Sequence, residues 1–336
     1  MTPVRLAIVG CGAIAELGHL PGAALCPDVE VTLLVDRDAR RAQTLADRFG
    51  IARVETDYAC VADHADAACV ALPPHLHRAS AERLLASGTH VLMEKPLATN
   101  LVDAEAMVAA AQASGRVLAV AMMRRFARSA RYLKALIDSG MLGRIERYVA
   151  RSGAADAWPS RSPFTFDAEQ AGGGALISNG CHDVDLLLWL LGPIASFEFY
   201  SDSPARMEGN CLLECRMASG AVATIEVSRT RTLANMIRID GERGSVEAPL
   251  MGEAALILPK GAARDLLSPA DPPPLDYAAV MAAQLADFAA AVRGERLPLA
   301  DGRVGRDMLG LVEQCYAGAR PLELLWDLPV RVPEAL

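Results

Sequence analysis

The sequence predicts an α/β protein of two parts: a doubly wound parallel sheet over residues 1–122, then a C-terminal α+β domain over 123–336 with an open, mostly antiparallel sheet. Three observations predict it. Short apolar runs alternate with helix-period segments up to about residue 121, which is the pattern of a parallel sheet covered on both faces. From about residue 195 the hydrophobic period becomes two, as in a half-solvated antiparallel sheet. The length of 336 residues and the 52% apolar content suffice for two packed cores.

The first part is expected to carry strands at residues 4–9, 31–36, 68–72, 90–93 and 118–121, with helices between them. The first strand runs into Gly10-Cys11-Gly12-Ala13-Ile14-Ala15. In this Gly-x-Gly-x-x-Ala pattern Gly10 permits a tight turn, Gly12 lets backbone approach a pyrophosphate, and Ala15 allows close helix–strand packing. Amides at the following helix N-terminus, near Ala13 and Ile14, would bind the phosphates. The second strand ends in Asp36, placed to accept the adenosine ribose hydroxyls. An acid there repels a 2′-phosphate and favours NAD, whereas Arg37, Arg40 and Arg41 follow at once and leave NADP open. The first part is therefore read as a dinucleotide-binding domain.

Two further loops should border the cofactor crevice, because ligands sit at the carboxyl ends of strands in such sheets. One is Leu72-Pro73-Pro74-His75-Leu76-His77; the other contains Met93-Glu94-Lys95-Pro96-Leu97. Leu72, Pro73, His77, Glu94 and Lys95 are thus candidate cofactor neighbours. Only Lys95, Lys134 and Lys260 are lysines among 33 basic residues, so a lysine held at a strand end by the following proline stands out.

In the second part, Cys211, Leu213, Cys215 and Met217 alternate with wetter residues, and Ala221, Ala223, Ile225 and Val227 do the same after Ser219-Gly220. This is a hairpin. Strands are also expected at 196–200, 236–240, 245–248 and 255–258. Residues 277–292 place Tyr277, Val280, Met281, Gln284, Leu285, Phe288, Ala289 and Val292 on one helical face, and 308–319 also reads as helix. These last helices can pack back on the first domain. The proline-rich stretch 268–275 reads as an extended connector.

The stretch Gly172-Gly173-Gly174-Ala175-Leu176-Ile177-Ser178-Asn179-Gly180-Cys181-His182-Asp183 has permissive backbone at its start and polar side chains at its end. The combination of Gly-x-Gly-x-x-Ala, Pro73-x-x-x-His77, Glu94-Lys95-Pro96, and the glycine run followed by Gly180-x-His182-x-x-Asp185 resembles the Gfo/Idh/MocA family of NAD(P)-dependent oxidoreductases. The likeness extends over nearly the whole chain, including Asp138-Ser-Gly-Met-Leu-Gly143. It implies a Rossmann domain followed by a C-terminal domain with an open antiparallel sheet, and hydride transfer between a nicotinamide and a carbinol of a sugar, cyclitol or related polyol. It further implies that Lys95 is the active-site lysine, that His182 gives or takes the proton, and that the glycines bring the loop close to the nicotinamide. A homodimer or homotetramer built through the second sheet is also implied. Members commonly carry an aspartate four residues before the histidine; here Ser178 stands there, and a hydroxyl cannot supply that charge.

The chemistry supports the pair independently. Removing a hydride from an alcohol carbon requires a base for the hydroxyl proton, histidine titrates in the right range, and an ammonium favours alkoxide. Arg124, Trp158, Arg161, Ser178 and Asn179 are candidate substrate neighbours together with Lys95 and His182, and the Arg124-Arg125 pair suits either an anionic substrate group or ion pairing within the fold. Asp183 and Asp185, in the first turn of an apolar helix, are expected to serve its dipole. No metal site is expected. The net charge, 33 − 41 = −8, with no basic block, argues against nucleic acid and anionic membranes as partners. The eight scattered cysteines read as reduced thiols, and no apolar run suits a signal peptide or a membrane span, so a cytoplasmic protein is expected. The alternative reading is a catalytically weakened NAD(P)-binding relative that acts as a redox sensor or partner-binding subunit.

Overall fold

The structure, a computed structural model, describes residues 2–155, 163–203, 206–259, 265–267 and 275–323. Among them, strands β1 (Val4–Val9), β2 (Val29–Val35), β3 (Val54–Glu55), β4 (Ala67–Val70), β5 (His90–Met93) and β6 (Leu118–Val120) form one sheet in the order β3-β2-β1-β4-β5-β6. Every pairing in it is parallel. Parallel neighbours need crossovers, which helices α1 (Leu20–Leu25), α2 (Ala39–Phe49), α3 (Val61–His64), α4 (His77–Ala86) and α5 (Leu101–Ser114) supply. β1 and β4 are apolar almost throughout because both of their faces are covered. The strand order reverses between β1 and β4, which opens a crevice at their carboxyl ends.

The second sheet contains β7 (Ile145–Gly153), β8 (Ile194–Ser201), β9 (Asn210–Met217), β10 (Val222–Ser228), β11 (Met236–Gly241), β12 (Gly244–Pro249), β13 (Ala255–Pro259), β14 (Asp265–Leu267) and β15 (Arg320–Pro321). Its order is β14-β13-β12-β11-β7-β10-β9-β8-β15, antiparallel except where β7 meets β10 and β8 meets β15. The period-2 hairpin is β9–β10, with Cys215 opposite Ala223 and Leu213 opposite Ile225. Cys211 and Cys215 lie on its buried side as ordinary core thiols. The central strand β7 has no matching sequence expectation. Three of its residues, Glu146, Arg147 and Arg151, are exposed and charged, so Tyr148 and Ala150 show too short an apolar alternation to stand out.

Helices α6 (Arg128–Asp138), α7 (Ala168–Ala171), α8 (Cys181–Leu191), α9 (Tyr277–Val292) and α10 (Gly302–Ala317) complete the chain. Leu133, Leu136, Leu186, Leu187 and Met308 share one core with the inner face of the second sheet. In contrast, Leu285, Phe288 and Ala289 of α9 pack with Leu6, Ile8 and Leu34 under the first sheet. The chain after residue 276 therefore returns to the nucleotide domain. The proline-rich residues 268–274 lie outside the described residues. Among the described ones, no helix is long and apolar enough to cross a membrane.

Candidate active site

The glycine fingerprint forms the turn between β1 and the following helix. Gly10 has φ +97°, and a Cβ there would meet the Ala71 carbonyl oxygen at 2.6 Å, so only glycine fits between the two strand ends. A Cβ on Gly12 would meet nothing within 4 Å, which leaves open the approach that a pyrophosphate needs. Ala13 is buried and Ile14 half-buried beside Tyr277. Asp36 Oδ2 accepts the Cys11 N–H at 2.7 Å and its Oδ1 accepts the Asp38 N–H at 2.8 Å. The carboxylate thus holds the loop. Arg41 stands 3.8 Å from it, half-buried, whereas Arg37 and Arg40 are exposed.

The next two loops are stapled together from below. The His77 ring has Nε2 2.8 Å from the Leu72 oxygen and Nδ1 3.0 Å from the Pro96 oxygen, and the residue is fully buried. Burial lowers its pKa, and a neutral ring, with one N–H, donates to one of these two oxygens at a time. His77, expected to face the cofactor, instead points into the protein and sits between Leu72 and the Lys95–Pro96 cis peptide segment. Leu72 and Pro73 are half-buried at the rim. Glu94 also points inward: Oε1 accepts from His19 Nε2 at 2.8 Å, and Oε2 accepts the Lys95 backbone N–H at 3.1 Å. Burial opposes this carboxylate, but the hydrogen bond and charge of His19 outweigh it and hold its pKa below the ordinary value.

The facing wall is the glycine run. Its tight packing is internal: a Cβ on Gly173 would lie 2.5 Å from the Tyr316 hydroxyl, and one on Gly174 would lie 2.4 Å from backbone atoms of Glu208. The glycines therefore let the loop close on Glu208 and Tyr316. Glu208 is fully buried, accepting the Leu176 N–H at 2.7 Å and the Tyr316 hydroxyl at 3.0 Å. Burial raises its pKa. Residues Leu176–Gly180 then form a π-helical turn ahead of α8, a rare geometry that recurs at functional sites.

From that turn the Ser178 carbonyl oxygen accepts the Lys95 ammonium at 2.5 Å. The Ser178 hydroxyl donates to the Ala175 oxygen at 3.4 Å, within its own turn, and Asn179 beside it is half-buried. His182 follows one turn later, 7% exposed, with Nδ1 buried and lacking a hydrogen-bond partner among the described residues. Burial, then the charges of Lys95 and Arg124, push its pKa well below 6.5. Imidazole, not imidazolium, is the resting form.

Arg124 and Arg125 are used within the fold. Arg124 donates to Asp183 Oδ1 at 2.6 Å, and Arg125 makes a two-pronged contact with Asp185 at 2.8 and 2.6 Å while also bonding the Leu299 oxygen. Both aspartates are buried, so they neutralise arginines and are not solvated dipole partners, contrary to the sequence expectation. Arg124 keeps a 14% exposed side chain at the site's edge. Trp158 and Arg161 lie outside the described residues. Among the described residues, no three His, Cys, Asp or Glu side chains group as metal ligands. Sequence reasoning missed His19, Glu208 and Tyr316, because nothing in the local sequence marks the distant partner of any of them.

Known proteins share this arrangement of sheets. The description "Oxidoreductase family, NAD-binding Rossmann fold" fits residues 4–122, and "GFO/IDH/MocA C-terminal domain" fits 130–247. The chain is 33% identical to the D-glucoside 3-dehydrogenase of Escherichia coli over 193 residues, spanning 57% of this chain and 55% of that protein. It is 32% identical over 238 residues to the dTDP-3,4-didehydro-2,6-dideoxy-alpha-D-glucose 3-reductase of Actinomadura kijaniata, 68% of this chain and 70% of that one. Its fold matches an aldose-aldose oxidoreductase from Caulobacter crescentus with a TM-score of 0.85 at 25% identity, covering 96% of this chain and 100% of that one. With a nucleotide-binding turn, a lysine loop and a histidine helix set on these two sheets, the chain belongs to the Gfo/Idh/MocA family of oxidoreductases.

Proposed function

We propose that the protein is an NAD(P)-dependent dehydrogenase/reductase that moves a hydride between the nicotinamide and a carbinol or keto carbon of a sugar, cyclitol or similar polyol. The observation that carries this reading is the convergence of Lys95, the Ser178 carbonyl, His182 and Arg124 beside the crevice at the strand ends. The sugar dehydrogenase and reductase among its relatives support the substrate class.

The residues fit a dinucleotide: the open space over Gly12 suits a pyrophosphate, and Asp36 keeps acceptor capacity at the adenosine end. The bound nicotinamide supplies the hydride acceptor or donor. Lys95 has three N–H donors, of which the Ser178 oxygen uses one; among the described residues the others make no further hydrogen bond and can steady a substrate oxygen as charge develops on it. His182, neutral at ordinary pH, takes the hydroxyl proton in oxidation and returns it in reduction. With Nδ1 buried, Nε2 is the nitrogen that meets the substrate. The alternative reading, a weakened relative, draws on the Ser178 hydroxyl, which stays on its own turn and supplies no charge to His182. Rapid turnover with any member of a panel of sugars, cyclitols and their keto forms, followed by NADH absorbance, would remove that alternative. The outer face of the second sheet, where Arg151 pairs with Glu226 and Val222 is 42% exposed, is the surface we assign to homodimer or homotetramer contacts.

Lys95→Met and His182→Ala are each expected to lower kcat by roughly 10²–10⁴-fold, the usual scale for a positioned proton-transfer group, while NADH fluorescence titration shows unchanged binding. Full activity in either variant would strike that residue from the mechanism. Because the His182 pKa is depressed, the base stays unprotonated down to its folded value, so the acid limb of kcat/KM for oxidation should lie below pH 6.5. A limb at or above that pH would contradict the assignment. Asp36→Asn removes the charge that repels a 2′-phosphate yet keeps an acceptor for a backbone N–H, and should raise NADPH affinity relative to NADH by about tenfold, some 1.4 kcal/mol. An unchanged ratio in paired titrations would count against Asp36 as the selector. Light scattering on the purified chain should give twice or four times the 35.6 kDa protomer mass, and a monomer at micromolar concentration would refute the sheet contact.

A further inference from the structure

His19 is a fully enclosed titratable group near the site that the reaction does not use. It is fully buried and ends the π-helical turn Ala15–His19, which continues directly from the glycine fingerprint. Its Nε2 meets Glu94 Oε1 at 2.8 Å, and the other oxygen of Glu94 holds the Lys95 backbone N–H at 3.1 Å. The groups around the pair come from separate elements: Cys69 from β4 beside the ring, Lys95 after β5, and Tyr277 from α9 on the Glu94 side. A buried ion pair is weak evidence for stability, since apolar residues of similar size often serve as well. Its geometry is informative instead, because it joins the cofactor turn to the segment that aims the lysine.

We propose that His19 is a positioning residue: through Glu94 it fixes the backbone from which Lys95 reaches the site, and it ties that backbone to the dinucleotide turn. The cofactor turn and the aimed lysine then form one arrangement. This rests on the reading of Lys95 given above. Removing His19 leaves Glu94 buried without its partner, so the carboxylate takes up a proton or turns toward water, and either change weakens its hold on the Lys95 N–H. The loss falls on the placement of the ammonium, where an error of about 1 Å costs on the order of a hundredfold in rate.

With only three lysines in the chain, Lys95 can be observed directly. Reductive ¹³C-methylation of the full protein in the presence of NADH gives lysine resonances, and Lys95→Met assigns the one of interest. His19→Ala should shift and broaden that resonance while leaving Lys134 and Lys260 in place, and His19→Gln, which still donates to Glu94, should restore it. With the most active panel substrate, His19→Ala should lower kcat by roughly tenfold to a hundredfold with less change in KM and in NADH affinity. If His19→Ala does not fold, the double variant His19→Leu/Glu94→Leu replaces both partners by apolar groups and is expected to fold with the Lys95 resonance displaced. A native Lys95 resonance in folded His19→Ala or in the double variant overturns the proposal, as does a loss confined to cofactor affinity. Wild-type turnover in Lys95→Met would instead overturn the reading of Lys95, and the resonance data would still decide the role of His19.

Discussion

The two-pronged contact between Arg125 and Asp185, both almost fully buried, sets the frame in which the site exists. A charge removed from water costs several kcal/mol unless a partner with good geometry meets it, so neither residue can shift without stranding the other. Arg125 stands just after β6 of the nucleotide domain and Asp185 stands in α8, one turn beyond His182. The pair therefore fixes the histidine helix to the end of the parallel sheet. Arg124 with Asp183 repeats the contact one step nearer the site, and the bond from Arg125 to the Leu299 oxygen anchors the returning C-terminal segment at the same point.

The electrostatics of the site follow from that frame. Arg124 is neutralised by Asp183 but still lies close enough, with Lys95, to oppose protonation of His182. A buried imidazole near two cations rests as a base. Behind the lysine the logic is reversed: Glu94 is kept ionised by His19, so the Lys95 segment is held by a carboxylate that solvent hardly reaches. Behind the histidine, Glu208 and Tyr316 hold the glycine run by hydrogen bonds to backbone. The segments that carry Lys95 and His182 are thus held by buried polar groups whose partners lie far away in sequence.

Much of the fold could be read directly from residue order. The fingerprint at Gly10 to Ala15, the acid at 36, the lysine before Pro96 and the β9–β10 alternation are local patterns, and local geometry produces them. Strand β7 escaped because its outward residues are charged, and its place at the sheet centre comes from pairing with β10 and β11. The glycine run was legible as special but not as to purpose. Its composition announces close packing, while only the fold shows that Glu208 and Tyr316 are what it packs against.

By itself the sequence determined the two-sheet architecture and the nucleotide turn, because hydrophobic period and turn residues act over a few residues, and its motifs named Lys95 and His182 as a candidate pair through their resemblance to a family. Tertiary structure alone decided that Arg124 and Arg125 are spent on Asp183 and Asp185, that His77 and Glu94 face inward, and that α9 returns to the first domain. The physical reason is common to all of these. A charged or polar side chain has the same identity in solvent and in a buried pair, and which it becomes depends on the partner that folding brings to it from a distant part of the chain.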